Sequence, residues 1–246
     1  MLNETKTLRL AMWSGPRNLS TALMRSWGNR PDTAVVDEPF YGFYLQATGR
    51  DHPGAMEIME HCETRVLQII QELTGPVPHG CPIFYQKQMT HHLLPEVDRG
   101  WLGQVTNCFL IRDPAEVITS YIKRNGEPAL EDLGFVQQAA LFDWACGHTE
   151  KKPPVIDARD LLQNPEGILR LLCQAVGVEF DKGMLSWPPG LRETDGIWAK
   201  YWYDEVVKST SFQPYHPRNE VVPERLRGIH QRCRECYDRL YEHRLR

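Results

Sequence analysis

Short apolar runs alternate with stretches of helical periodicity along most of this chain, and that alternation constrains the fold more than any other sequence feature. Leu8–Trp13 (LRLAMW) is an apolar run closed by Ser-Gly-Pro, the pattern of a buried first strand. Thr33–Asp37, Ile83–Gln86, Val105–Ile111 and Pro154–Ala158 read as further strands, and 105–111 is apolar enough to be central. Asn18, Ser20 and Thr21 offer capping side chains to a helix through about Gly28, and further helices are expected at 54–74, 114–124, 133–148 and 164–176. Strands and helices in alternation imply a parallel sheet covered on both faces, a three-layer α/β fold. The 246 residues suit one domain, with a helical extension from about 190 to 246 packed on it. Within that extension 196–208 is aromatic-rich, and 223–243 reads as a basic amphipathic helix.

The formal charge of −4 argues against nucleic-acid binding through a general basic field. Residues 1–30 depart from this average, with Lys6, Arg9, Arg17, Arg25 and Arg30 against Glu4, so an anionic ligand is expected near them. No apolar run reaches the roughly 18–20 residues of a membrane span, and no signal peptide is expected. Seven cysteines without framework spacing read as free thiols and point to a cytoplasmic protein. His230, Cys233 and Cys236 lie at helical spacing on the last helix. A packing face explains them more simply than zinc, and no metal is expected.

Two segments carry the chemistry. In Trp13–Thr21 (WSGPRNLST) a strand, a tight turn at Gly15-Pro16 and a helix start form an anion site, because free amides and the positive dipole end converge there. Arg17 adds fixed charge, Asn18 a polar amide, and Ser20 and Thr21 hydroxyl donors. The ATPase loop is absent: with Thr21 at its last position, Leu19 and Ser20 stand where Gly and Lys belong. The plainer alternative is a capped helix after a core strand. In the second segment, Arg112-Asp113-Pro114 follows a strand, and Ser120 lies two turns into the next helix. Arg112 can grip a phosphate bidentately and Ser120 can donate to it. The competing picture is a surface arginine paired with Asp113.

Pro16-Arg17-Asn18-Leu19-Ser20-Thr21 resembles the 5′-phosphosulfate loop (P-K-S-G-T-T) of the sulfotransferases that use 3′-phosphoadenosine 5′-phosphosulfate, PAPS. It departs in having arginine for lysine and leucine for glycine. Arg112, Pro114 and Ser120 are similar to the family's 3′-phosphate signature. Asp157–Pro165 resembles its "Y-E-D-L…P" segment, and Val36–Phe40 the acid-proline turn of carbohydrate-type members. The family's carboxyl-terminal R-K-G segment is absent, with Lys208–Ser211 as a candidate substitute.

The resemblance implies a P-loop-type fold and sulfuryl transfer to a small-molecule or carbohydrate acceptor, leaving 3′,5′-bisphosphoadenosine. Gly15, Pro16, Arg17, Asn18, Leu19, Ser20 and Thr21 would hold the 5′ end, and Arg112 and Ser120 the 3′ phosphate. Arg17 would stabilise the leaving group electrostatically, and Lys87 is a further cation within reach. Lys87–Pro95 (KQMTHHLLP) resembles the segment carrying the family's catalytic histidine, with the spacing displaced. His91 or His92 is therefore expected as base, with Glu38 as the rival. A P-loop small-molecule kinase and a non-catalytic nucleotide-binding relative are the competing functions. Acceptor specificity is expected in loops at about 40–55, 125–133 and 186–220.

Overall fold

The alternation of apolar side chains along the first strand decides the layering. In the computed structural model, which describes residues 7–217 and 220–246, β1 (Leu8–Ser14) sends Leu10 and Met12 to one face of a sheet and Ala11 and Trp13 to the other. The chain then runs through α1 (Ser20–Trp27), β2 (Thr33–Asp37), α2 (Tyr41–Thr48), α3 (Ala55–His61), α4 (Val66–Thr74) and β3 (Ile83–Met89). It continues with β4 (Thr106–Ile111), α5 (Pro114–Asn125), α6 (Phe135–His148), β5 (Val155–Asp157), α7 (Ala158–Gln163) and α8 (Pro165–Val176). Two short helices, α9 (Ala199–Trp202) and α10 (Asp204–Lys208), precede the long α11 (Arg227–Tyr241). The five strands are all parallel, in the order β2-β3-β1-β4-β5. Residues of α1, α7 and α8 cover one face; those of α4, α5, α6 and α11 cover the other. None of the helices among the described residues is long and apolar enough to cross a membrane.

Several expectations are corrected. The helix at 54–74 is two, because Glu63 Oε1 accepts from the amides of Thr64 and Arg65 and turns the chain at Cys62–Arg65. Residues 41–48, read as loop, form α2, whose apolar content lacks a single stripe because it is covered from several sides. The first helix is not capped by Asn18, Ser20 or Thr21: no side chain caps it, and Asn18 instead accepts from Leu19 N and donates to Leu110 O. β3 runs three residues further than expected, to Met89, and places Lys87 inside the sheet.

The basic cluster of residues 1–30 also disperses. Lys6 and Glu4 lie outside the described residues. Arg9 donates to Gly75 O, Arg30 pairs with Asp32, and Arg25 is buried against Asp195 at 2.5 Å. This last pair ties the segment after α8 to α1. Removing one partner of a buried pair strands the other charge, so Asp195→Ala is expected to lower the unfolding free energy by about 3–5 kcal/mol. Denaturant titration measures this, with a fall under about 1 kcal/mol counting against the anchoring role.

Candidate functional site

Where β1 meets β3 on one side and β4 on the other, the connections leave in different directions and a cleft opens at the strands' carboxyl ends. Gln138 of α6 bridges the gap, donating at 3.0 Å to both Trp13 O and Leu110 O. Gly15 lies beneath the turn that follows β1. A side chain there would stand 2.6 Å from Leu133 O, which explains why the position has none. Pro16, Arg17, Asn18, Leu19, Ser20 and Thr21 line the resulting cavity of 730 Å³, and Arg112 and Ser120 line it too. The first-turn amides of the uncapped α1 therefore face an open space.

The two motifs are bonded to each other. Arg17 takes a left-handed backbone conformation (φ 55°), and its Nε donates to Ser120 Oγ at 3.0 Å. Arg112 Nη1 donates to Arg17 O at 2.8 Å, while its Nε pairs with Glu116 at 3.0 Å. Asp113, the partner imagined for a surface Arg112, instead caps α5 and pairs with Arg234 of α11. Burial, and then the neighbouring Arg124 and Arg112, pull the Arg17 pKa below the usual arginine value. Three guanidinium groups thus converge where the sequence offered two. Arg124, on the last turn of α5, becomes visible only once that helix is folded.

Further along the cavity wall, Glu38 also has positive φ (41°), and its amide donates to Lys87 O at the end of β2. Lys87 is buried, and its Nζ donates to Asp37 Oδ1 (2.8 Å), Glu38 Oε1 and Tyr203 OH (2.9 Å). Tyr203 OH donates in turn to Asp37 Oδ2 at 2.5 Å. Burial works against the ammonium charge, but the two carboxylates outweigh it and hold the Lys87 pKa well above its ordinary value. Burial pushes the Glu38 carboxyl upward; Lys87 opposes this and Asp37 reinforces it. With all three protons of Lys87 engaged, its place is that of a brace for Glu38.

His91 and His92 form a single tight turn directly after β3. The His92 ring stacks on Tyr41 (4.7 Å, 3°) and Tyr44 (4.7 Å, 27°), and its Nδ1 stands 3.8 Å from Glu38 Oε2 with no hydrogen-bond partner. His52 Nδ1 meets Tyr41 OH at 2.9 Å. Tyr41, Tyr44 and His52 escaped the sequence reading, since α2 lacks a one-sided pattern and His52 lies in a loop. The aromatic segment at 198–203 divides: Trp198 is buried in a small cluster with α2 and α3, whereas Trp202 and Tyr203 reach the cavity. Lys208, Ser209 and Ser211, the suggested substitute for the missing carboxyl-terminal segment, also line it. Cys233 and Cys236 are buried on the inner face of α11, and no group of three or more metal-ligating residues is found among the described residues.

Burial lowers the His91 pKa to about 3 and that of His92 well below its ordinary value. Both are therefore neutral in the folded chain where the unfolded chain, near 6.5, takes up a proton. For His91 this stability is complete above pH 6.5 and is lost as pH falls toward 3, by about 1.4 kcal/mol per pH unit, and His92 acts in the same direction. His91→Asn is expected to flatten the fall between pH 6.5 and 4.5, read from denaturant titrations across that window. An unchanged slope would count against a buried neutral imidazole.

Comparison with known proteins agrees with this architecture. A family model described as "Sulfotransferase domain" matches residues 8–227. In Arabidopsis thaliana, "Branched-chain-amino-acid aminotransferase-like protein 1" is 32% identical over 234 residues and its counterpart protein 2 is 29% identical over 231. Each alignment covers 94% of this chain but only 41% of the relative. Among solved structures, the sulfotransferase domain from the curacin biosynthetic pathway superposes with a TM-score of 0.56 at 16% identity, over 98% of this chain and 99% of that one. A sulfotransferase from Alicyclobacillus acidocaldarius gives 0.54 at 12% identity, over 97% of both chains. With the family model spanning the sheet, both motifs and the cavity between them, the chain belongs to the sulfotransferase domain family.

Proposed function

We propose that this chain moves a sulfuryl group from PAPS to a hydroxyl or amine of a small-molecule or carbohydrate acceptor. One observation carries the reading: a cavity shared by a cationic edge at Arg17 and Arg112 and a buried carboxyl of raised pKa. Arg17 and the amides of α1 are suited to the 5′ phosphosulfate, and Arg112 with Ser120 to the 3′ phosphate. The acceptor oxygen attacks sulfur, the bond from sulfur to the 5′-phosphate oxygen breaks, and 3′,5′-bisphosphoadenosine leaves. Its developing charge falls beside Arg17, which helps as a fixed charge because guanidinium does not give up a proton.

Glu38 is assigned as the base. A carboxyl lifted toward neutrality accepts a proton more effectively than an imidazole whose pKa has been driven to about 3. His91 and His92 then serve as wall and orienting groups. The name of the plant relatives speaks of an aminotransferase, but this chain spans only 41% of their length, so the proposal follows the family model that matches residues 8–227 of this chain. We read the chain as a single cytoplasmic domain, consistent with its seven free thiols.

Thermal unfolding in 3′,5′-bisphosphoadenosine, in ATP with Mg²⁺, and in neither tests the donor site. The bisphosphate at about 100 times its Kd should stabilise by about 2.7 kcal/mol. Arg112→Ala should abolish that shift. A response to ATP–Mg²⁺ alone would replace this reading with a kinase. Bisphosphate binding without sulfation of any acceptor would leave a non-catalytic relative.

Glu38→Gln should retain nucleotide binding and lose about 10²–10⁴ in turnover. Activity requires the ionised carboxylate, so it should fall as pH drops through a pKa above the ordinary carboxylate range. Because Lys87 lowers the Glu38 pKa, Lys87→Met should move that acid limb to higher pH. An unmoved limb in the pH–rate profile would remove Lys87 from the role of brace.

A further inference from the structure

The wall around Glu38 is built from rings that carry no charge near neutral pH. Burial holds His91, His92 and His52 in their neutral forms and keeps the phenols of Tyr41 and Tyr44 protonated. Three of the cations that approach this wall are already paired. Arg50 bonds Asp132 at 2.7 Å, Lys87 is held by Asp37 and Glu38, and Arg124 lies over the Trp202 ring while pairing with Asp204. An anionic group held against this wall would meet the Glu38 carboxylate, while the unpaired Arg17 guanidinium belongs to the other edge of the cavity, bonded to Ser120.

Two polar atoms in the wall lack a partner, His91 Nδ1 and His92 Nδ1, and the second of them stands beside Glu38. His92 is almost completely buried, and its Nδ1 makes no hydrogen bond while standing 3.8 Å from Glu38 Oε2. A hydroxyl oxygen seated between the two can donate to Oε2 and, in the tautomer protonated at Nδ1, accept from the imidazole. This would satisfy the orphaned donor and place the hydroxyl proton on the base that must remove it.

We propose that the acceptor is an uncharged alcohol on an apolar or ring scaffold, seated by its hydroxyl between Glu38 Oε2 and His92 Nδ1, and that acceptors bearing an anionic group are rejected. The inference rests on the sulfotransferase reading for its chemistry. Its binding prediction is read independently of turnover.

The test is calorimetric titration with benzyl alcohol, 4-(hydroxymethyl)benzylamine and 4-(hydroxymethyl)benzoate, with and without saturating 3′,5′-bisphosphoadenosine. The neutral alcohol should bind at least tenfold more tightly than the benzoate in both conditions, with the ammonium compound not disfavoured. Glu38→Gln should narrow that gap to under threefold, and His92→Phe should weaken the alcohol alone. Equal or tighter binding of the benzoate, or no binding of any of the three, overturns the proposal. The expected ranking in a protein that gives no bisphosphate response would support this acceptor site while removing the sulfotransferase reading.

Discussion

The divergence of the chain at the carboxyl ends of β1 and β4 is the constraint on which the site depends. Here one amide, that of Gln138, holds Trp13 O and Leu110 O together, and Asn18 adds a second bond to Leu110 O. With those acceptors satisfied, Arg17 and Arg112 are left to bond across the cleft through a backbone carbonyl and the Ser120 hydroxyl. The cationic edge is thus a by-product of closing the sheet.

The cavity has two electrostatic characters, and different physics maintains each. On the Arg17 side like charges converge, tolerable because Glu116 partners Arg112 and because the groups are only part-buried. On the Glu38 side a single ammonium is enclosed with two carboxylates and a phenol. A buried charge set of this kind is costly to break and adds little net stability when intact. Its clearer consequence is positional: Lys87, inside a strand, fixes the direction of a carboxylate that follows the neighbouring strand.

Much of the fold was legible from the sequence. β2 lies at the residues the apolar run marks, and Pro114 opens α5 where its fixed φ suits a first turn. What escaped has a common cause. α2 shows no amphipathic stripe because it is enclosed by α3, the His91-His92 turn and the aromatic segment near residue 200. The break at Glu63 depends on a side chain bonding its own neighbours, which periodicity does not register. Arg9, Arg25 and Arg30 leave the basic run of residues 1–30 for a related reason, since charge counted along the chain ignores partners met across it.

Local sequence determined the strand–turn–helix units, the arginine that follows β4, and the carboxyl-proline turn after β2, because strand periodicity, turn chemistry and proline geometry act over a few residues. Tertiary structure alone decided which cations stay free and which are consumed, as Arg25 is by Asp195 and Arg17 is not. It also decided that Lys87 braces Glu38 and that His91 and His92 are dehydrated. Those properties come from burial and from partners more than a hundred residues away, such as Tyr203, and no short stretch of the chain encodes them.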